Sequence, residues 1–176
     1  MLTDRVSHAL SRRSDQSIAV LFVDLDDFKT INDSLGHAVG DRVQQEAARR
    51  LQGCLRGDDS VARLGGDEFA VLLEATSLTH ASTVAQRLLD ALRPVFDLSG
   101  DATTVAASVG VALGPPHADD ADALLRGADL AMYAAKSEGK GRYAVFDGSM
   151  YDDFVERLEL KPLRPRPSSR WRRNPG

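Results

Sequence analysis

The sequence has little of anything that would let its fold rest on more than a packed core. A single cysteine, Cys54, in 176 residues allows no internal disulfide and no cysteine-rich zinc site, and it fits a reducing compartment. Aromatic residues make up only 6% of the chain. Long apolar runs are missing as well. The most apolar strand-like stretch, Ile18 to Val23, falls far short of the roughly 20 residues a membrane helix needs, and Met1-Leu2-Thr3-Asp4-Arg5 carries no apolar signal-peptide stretch. No membrane span or secretion is therefore expected, and the expected location is cytoplasmic. There is no internal repeat. What remains, 43% hydrophobic and 27% charged, is about one domain in ordinary globular proportions.

Charge of one sign is absent from a particular place. Residues 160–176 hold six basic side chains (Lys161, Arg164, Arg166, Arg170, Arg172, Arg173) and no acid, together with four of the seven prolines and the only tryptophan. The overall charge of −4 is thus a +6 tail added to a body whose 16 basic and 26 acidic residues give −10. The tail has too few apolar residues to bury and is expected to be disordered and solvated, with no nucleic-acid partner. Two units are expected: a domain over residues 1–160 and a basic Pro/Arg-rich tail over residues 161–176.

Hydrophobic spacing predicts a short amphipathic helix from Leu2 to about Arg13, then a central strand at Ile18 to Val23, buried on both faces and stopping at Asp24. Further helices are expected at Asp41 to Leu55, Leu78 to Leu92 (closed by Pro94) and Asp119 to Lys136. Val61 to Leu64 and Phe69 to Leu73, separated by Gly65-Gly66, read as a hairpin. Thr103 to Leu113 and Tyr143 to Phe146 have strand character. The alternation gives an α/β or α+β class with helices packed against one sheet.

The chemistry is concentrated at two strand ends. Asp24 closes the central strand, and Asp67-Glu68 come after two glycines at a hairpin tip, where missing β-carbons let the turn tighten and a bulky ligand approach. A few hard oxygen ligands, with positions left for water and substrate phosphates, are what Mg²⁺ (or Mn²⁺) takes in phosphoryl and nucleotidyl transfer. Asp26, Asp27 and Asp33, taken singly, read instead as solvated or helix-capping acids.

Arg63-Leu64-Gly65-Gly66-Asp67-Glu68-Phe69 resembles the signature of GGDEF domains, the diguanylate cyclases. Val23-Asp24-Leu25-Asp26-Asp27-Phe28-Lys29-Thr30-Ile31-Asn32-Asp33, with Gly36-His37 and Gly40-Asp41, is similar to that family's other long motif. Ala134-Ala135-Lys136 and Gly139-Lys140-Gly141-Arg142 add to the likeness, which covers about Leu2 to Leu160. It implies a palm-like, nucleotide-cyclase-like central mixed sheet with flanking helices. It also implies an activity, condensation of two GTP into cyclic di-GMP with release of two pyrophosphates, performed by a homodimer because one site holds one GTP.

The resemblance implies roles residue by residue. Asp24, the Leu25 carbonyl, Asp67 and Glu68 would hold the metal. Asp67 would also help deprotonate the 3′-hydroxyl, and Lys29, Lys136 and Lys140 would offset phosphate charge. Gly65 and Gly66 would lie against substrate. Asn32 and Asp41 correspond to the guanine-binding pair, with His37 near the same loop as either a contact or a structural or exposed histidine; a carboxylate accepting from guanine N1–H and the 2-amino group rejects adenine, which lacks that donor edge. Asp41 could equally cap the next helix. Arg56-Gly57-Asp58-Asp59 fits the family's R-x-x-D product-inhibition motif, with Arg87 assisting and a surface ion pair as the plain alternative.

Two departures from the family pattern matter. The family's domain opens on an Asp-x-Leu-Thr-x-Leu-x-Asn-Arg segment that lines the nucleotide pocket. Met1-Leu2-Thr3-Asp4-Arg5-Val6 aligns just C-terminal to that segment, so one wall of the pocket is expected to be missing. Lys140 stands where the family often has arginine. Asp147 to Leu160 resembles the junction helix that leads into a phosphodiesterase (EAL) domain in tandem proteins. A catalytically weak or inactive GTP- or cyclic di-GMP-binding signalling module is the rival reading.

Overall fold

A computed structural model of the protein describes residues 2–12, 17–98, 101–114 and 120–152. The elements in chain order are α1 (Leu2–Arg12), β1 (Ile18–Leu25), α2 (Phe28–Leu35), α3 (His37–Gly53), β2 (Ser60–Gly65), β3 (Glu68–Leu73) and α4 (Leu78–Leu92), followed by β4 (Phe96–Leu98), β5 (Asp101–Thr103), β6 (Ala107–Gly114), α5 (Ala121–Ser137) and β7 (Tyr143–Val145). Five strands form one sheet in the order β2-β3-β1-β6-β7, and β4-β5 make a separate small hairpin. Only the β6–β7 pair is parallel among these, so the sheet is mixed. The expected fold class, a central mixed sheet with flanking helices, is the one found.

β1 sits in the middle because nearly all its residues are apolar and can be buried on both faces. Its alternate residues divide the core. Ala19, Leu21, Val23 and Leu25 join the Val43, Ala47 and Leu51 stripe of α3 and the Val84, Leu88 and Leu92 face of α4. Ile18 and Val20 face the other way, onto Val6 and Ala9 of α1 and Leu124 and Ala128 of α5. The result is three layers, with helices on both faces of the sheet.

Gly110 explains how closely α5 can lie. A β-carbon there would stand 2.0 Å from the Ala128 carbonyl oxygen and 2.2 Å from the Met132 nitrogen, so helix backbone rests directly on the strand.

Several expectations need correction. The predicted 41–55 helix begins four residues earlier, at His37, capped by Gly36 without a side-chain bond, so Asp41 lies inside α3 and is not its N-cap. α2 was not expected at all. The predicted Thr103 to Leu113 strand is two strands, β5 and β6, interrupted at residues 104–106, and β5 pairs with β4 rather than with the main sheet. The helix expected from Asp119 starts at Ala121, with the Asp120 side chain accepting from the Ala123 amide. Of the expected junction helix, residues 149–152 are helical. Its remainder and the 161–176 tail lie outside the described residues.

Candidate active site at the β1 end and the β2–β3 turn

β1 runs one residue past Asp24, to Leu25, so Asp24 is held in register between two strands, opposite Glu68 of β3 and Ser108 of β6. The turn between β2 and β3 is fastened to the same place, because the Leu25 amide donates to the Asp67 carbonyl at 3.1 Å. Sheet pairing thus brings Asp24, Leu25, Asp67 and Glu68 to one end of β1. Asp24 is buried, Asp67 half-buried and Glu68 exposed. Glu68 lines a cavity of about 230 Å³ with Phe22, Leu64, Asp129 and Met132.

Burial pushes the Asp24 carboxyl above its usual range, the Lys136 ammonium opposes this through a 2.7 Å contact, and the neighbouring Asp67 and Glu68 carboxylates push it up again. The cation in contact with Asp24 is the Lys136 ammonium. Among the described residues no three acid, histidine or cysteine side chains converge closely enough to hold a metal ion unaided. Carboxylates with a main-chain carbonyl nonetheless suit Mg²⁺, which keeps waters and takes substrate phosphates rather than a full protein cage.

The loop from β1 into α2 is clamped from β6 and from the loop between α5 and β7. Asp26, expected to be solvated or capping, is neither: it is 5% exposed, accepts from the Ser108 hydroxyl at 2.8 Å and from the Gly141 amide at 3.0 Å, and so fixes the loop. Asp27 occupies the left-handed region at φ 56°, begins α2, and holds Lys140 at 2.6 Å. Its carboxylate raises the Lys140 pKa. Lys136 and Lys140 therefore stand against Asp24 and Asp27, while Lys29 is exposed in the first turn of α2.

α2 and α3 form a helical hairpin. A β-carbon at Gly40 would lie 1.8 Å from the Asn32 Oδ1, so the missing side chain lets Asn32 of α2 seat against α3 next to Asp41. Asp41 is exposed and half-buried Asn32 adjoins it, while His37 is exposed at the start of α3. Gly65 and Gly66 form an exposed tip, with Gly66 at φ 52°.

The Arg56–Asp59 segment is a tight turn. The Arg56 amide donates to the Asp59 carboxylate and the Asp59 amide to the Arg56 carbonyl, each at 3.1 Å. Arg87 reaches across from α4 to the carbonyl of Cys54, the C-cap of α3, which sets it beside that turn. Burial pushes the Cys54 thiol up, with Arg87 opposing.

Sequence reasoning missed Gln44 and Ser108 as parts of the site. Buried Gln44 donates to the Gly66 carbonyl at 2.8 Å, and Arg63 Nε shares that acceptor at 3.0 Å. Ser108 entered only as part of a strand. The one available signal for Gln44 was its place on α3, directly after Val43 of the apolar stripe.

Residues 1–142 match the family described as "Diguanylate cyclase, GGDEF domain". The chain belongs to this GGDEF family. It is 40% identical over 162 residues to the bifunctional diguanylate cyclase/cyclic di-GMP phosphodiesterase MucR of Pseudomonas aeruginosa, covering 91% of this chain and 24% of MucR. With the cyclic di-GMP phosphodiesterase PdeR of Escherichia coli (strain K12) it shares 38% over 159 residues, 90% of this chain and 24% of PdeR. With diguanylate cyclase TpbB of Pseudomonas aeruginosa (strain UCBPP-PA14) it shares 49% over 142 residues, 78% of this chain and 32% of TpbB. The crystal structure of the TpbB GGDEF domain superposes with a TM-score of 0.81 at 43% identity, covering 83% of this chain and 93% of that one. The GGDEF chain thus spans about a quarter to a third of the length of these relatives. No helix among the described residues is long and apolar enough to cross a membrane.

Proposed function

We propose that this GGDEF domain is a diguanylate cyclase in which two copies, each holding one GTP, face each other to make cyclic di-GMP and two pyrophosphates. The observation that carries this reading is the fastening of the Gly-Gly-Asp-Glu turn to the β1 end, through the Asp24–Glu68 register and the Leu25–Asp67 bond. It brings Asp24, Leu25, Asp67 and Glu68 to one end of β1, which supports reading that end as the place where metal and phosphate would be held.

In each half-reaction the 3′-oxygen of one GTP bonds to the α-phosphorus of the other, the bond to pyrophosphate breaks, and the hydroxyl proton leaves to Asp67. Mg²⁺ or Mn²⁺, when bound by Asp24, the Leu25 carbonyl, Asp67 and Glu68, would stabilise the developing negative charge. Asn32 and Asp41 would read guanine from the α2–α3 hairpin, with His37 at its mouth. Lys29, Lys136 and Lys140 would neutralise phosphates, an effect that matters in this domain because its overall field is acidic. Arg56, Asp59 and Arg87 would take the product and inhibit.

A second reading, a GTP- or cyclic di-GMP-binding module with weak or no catalysis, is favoured by one finding: PdeR, similar over 90% of this chain, is named a phosphodiesterase and not a cyclase. The test is to incubate the purified protein with GTP and Mg²⁺ at high concentration, where copies meet, and look for cyclic di-GMP, with Asp67→Ala as control. Product from wild type alone is expected. No product would overturn the cyclase reading, and cyclic di-GMP calorimetry on wild type and Arg56→Ala would then decide whether the module binds it.

A further inference from the structure

We infer that Gln44 is a positioning residue for Asp67, setting the catalytic turn at a fixed place relative to the helix that carries Asp41; this rests on the cyclase reading above. Gln44 is 6% exposed, unusual for a side chain of its polarity on an otherwise apolar helix face. Its carboxamide nitrogen donates at 2.8 Å to the carbonyl of Gly66, the peptide unit that leads directly into Asp67. On the far side of Asp67, its own carbonyl accepts from the Leu25 amide. The residue is therefore held on both flanks from outside the hairpin, by α3 on one side and β1 on the other.

Arg63 also donates to the Gly66 carbonyl, at 3.0 Å. It belongs to the hairpin itself, however, and cannot fix the hairpin relative to anything else. Gly66, at φ 52° and exposed, has no side chain with which to hold its own position. Gln44 supplies the tether from α3 on the Gly66 side of Asp67, beside the one β1 supplies on the other. It stands three residues after Asp41, close to one helical turn, so one rigid helix carries the proposed guanine contact and the tether of the proposed base. Removing the donor leaves the Gly66 carbonyl still bonded to Arg63, so the stability cost is small while the turn gains freedom. Small displacements of a reacting group are costly to rate.

The test uses the full chain with Gln44→Leu and Gln44→Met, which keep bulk without a donor, and Gln44→Lys, which restores one. The first readout, independent of activity, is hydrogen exchange of the Leu25 amide, whose acceptor is the Asp67 carbonyl. It should quicken at least about fivefold in the Leu and Met variants and return toward wild type in the Lys variant. The second is a split in kinetics, with kcat down about tenfold, KM for GTP unchanged and the thermal midpoint unchanged. Unaltered Leu25 exchange in both donor-free variants overturns the inference, as does a raised KM with kcat intact. If wild type makes no cyclic di-GMP, the cyclase reading fails, and the exchange result alone decides whether Gln44 tethers the turn.

Discussion

Replacing Gly40 by alanine separates what holds this fold from what the α2–α3 hairpin does. The new methyl would sit 1.8 Å from the Asn32 Oδ1, 2.9 Å from its Cγ and 3.2 Å from Phe28 Cζ. An ordinary contact begins near 3.4 Å, so the Asn32 oxygen must retreat by 1.6 Å, whereas the Phe28 ring needs only 0.2 Å. All three atoms belong to side chains, so relaxation comes from turning Asn32 out of its seat and leaves the helices in place. Overpacking of this kind costs about 1–3 kcal/mol. Alanine in a helix recovers about 1 kcal/mol over glycine. The net loss is about 0–2 kcal/mol, a fall of at most about 8 °C in Tm for a domain of this size. The functional cost is larger. If Asn32 reads guanine as proposed, turning it away removes a hydrogen bond and leaves a polar group unpaired, worth about 1–3 kcal/mol, or about 5- to 150-fold in GTP affinity. Calorimetric titration with GTP on Gly40→Ala, alongside a thermal scan, measures both. Adding Asn32→Ala should restore the thermal midpoint without restoring binding. Unchanged GTP affinity in Gly40→Ala would refute guanine recognition at Asn32, and a midpoint that stays low in the double variant would refute the steric account.

Gly110→Ala makes the opposite case: its methyl meets the α5 main chain at Ala128 and Met132, which cannot rotate away, so a loss of about 3 kcal/mol or more is expected in urea unfolding. Arg50 donates to the carbonyls of Ala91, Pro94 and Val95, pairs with Glu46 and lies 3.9 Å over the Phe96 ring, tying α3 to the end of α4. Arg50→Ala should cost about 2–3 kcal/mol by the same assay, and Arg50→Lys should recover little, since an ammonium cannot fork across several carbonyls. The Arg49 and Arg50 guanidiniums hold the Glu46 carboxyl down at about 2. A depressed acid stabilises above its unfolded pKa and loses that contribution as pH falls through the folded one, here from 4.5 to about 2. With the side chain partly in solvent, Glu46→Gln should cost no more than about 1 kcal/mol at pH 7, with the difference from wild type gone near pH 2.

The parts of this fold that follow local rules were legible in the sequence. α4 runs from Leu78 to Leu92 as its periodicity predicts because Ser77 caps it through the His80 amide and Pro94 lies just beyond its end. β1 reads as central because it is apolar throughout. α2 was not legible, since its start depends on Asp27 in a left-handed conformation with no side-chain cap. The first turn of α3 was hidden by Gly36 and Gly40, residues that argue against a helix unless one knows that α2 must pack within reach of the second.

The site divides the same way. Asp24 and the Gly-Gly-Asp-Glu turn could be read from motifs, but their fastening could not, because each fastener finds its partner far along the chain. Ser108 is 82 residues from Asp26, Gly141 is 115 from it, and Gln44 is 22 from Gly66. A buried polar side chain is stable only when its partner is supplied, so its presence next to an apolar stripe is a question the stripe itself cannot answer. Gln44 beside Val43, and Arg50 beside Leu51, both look like the solvated edge of a helix. Both turn out to be ties between elements, one to the Gly-Gly-Asp-Glu turn and one to the end of α4. A polar residue at the margin of a buried helix face, with a chain long enough to reach past its own helix, therefore marks a long-range contact to be sought before it is dismissed as surface.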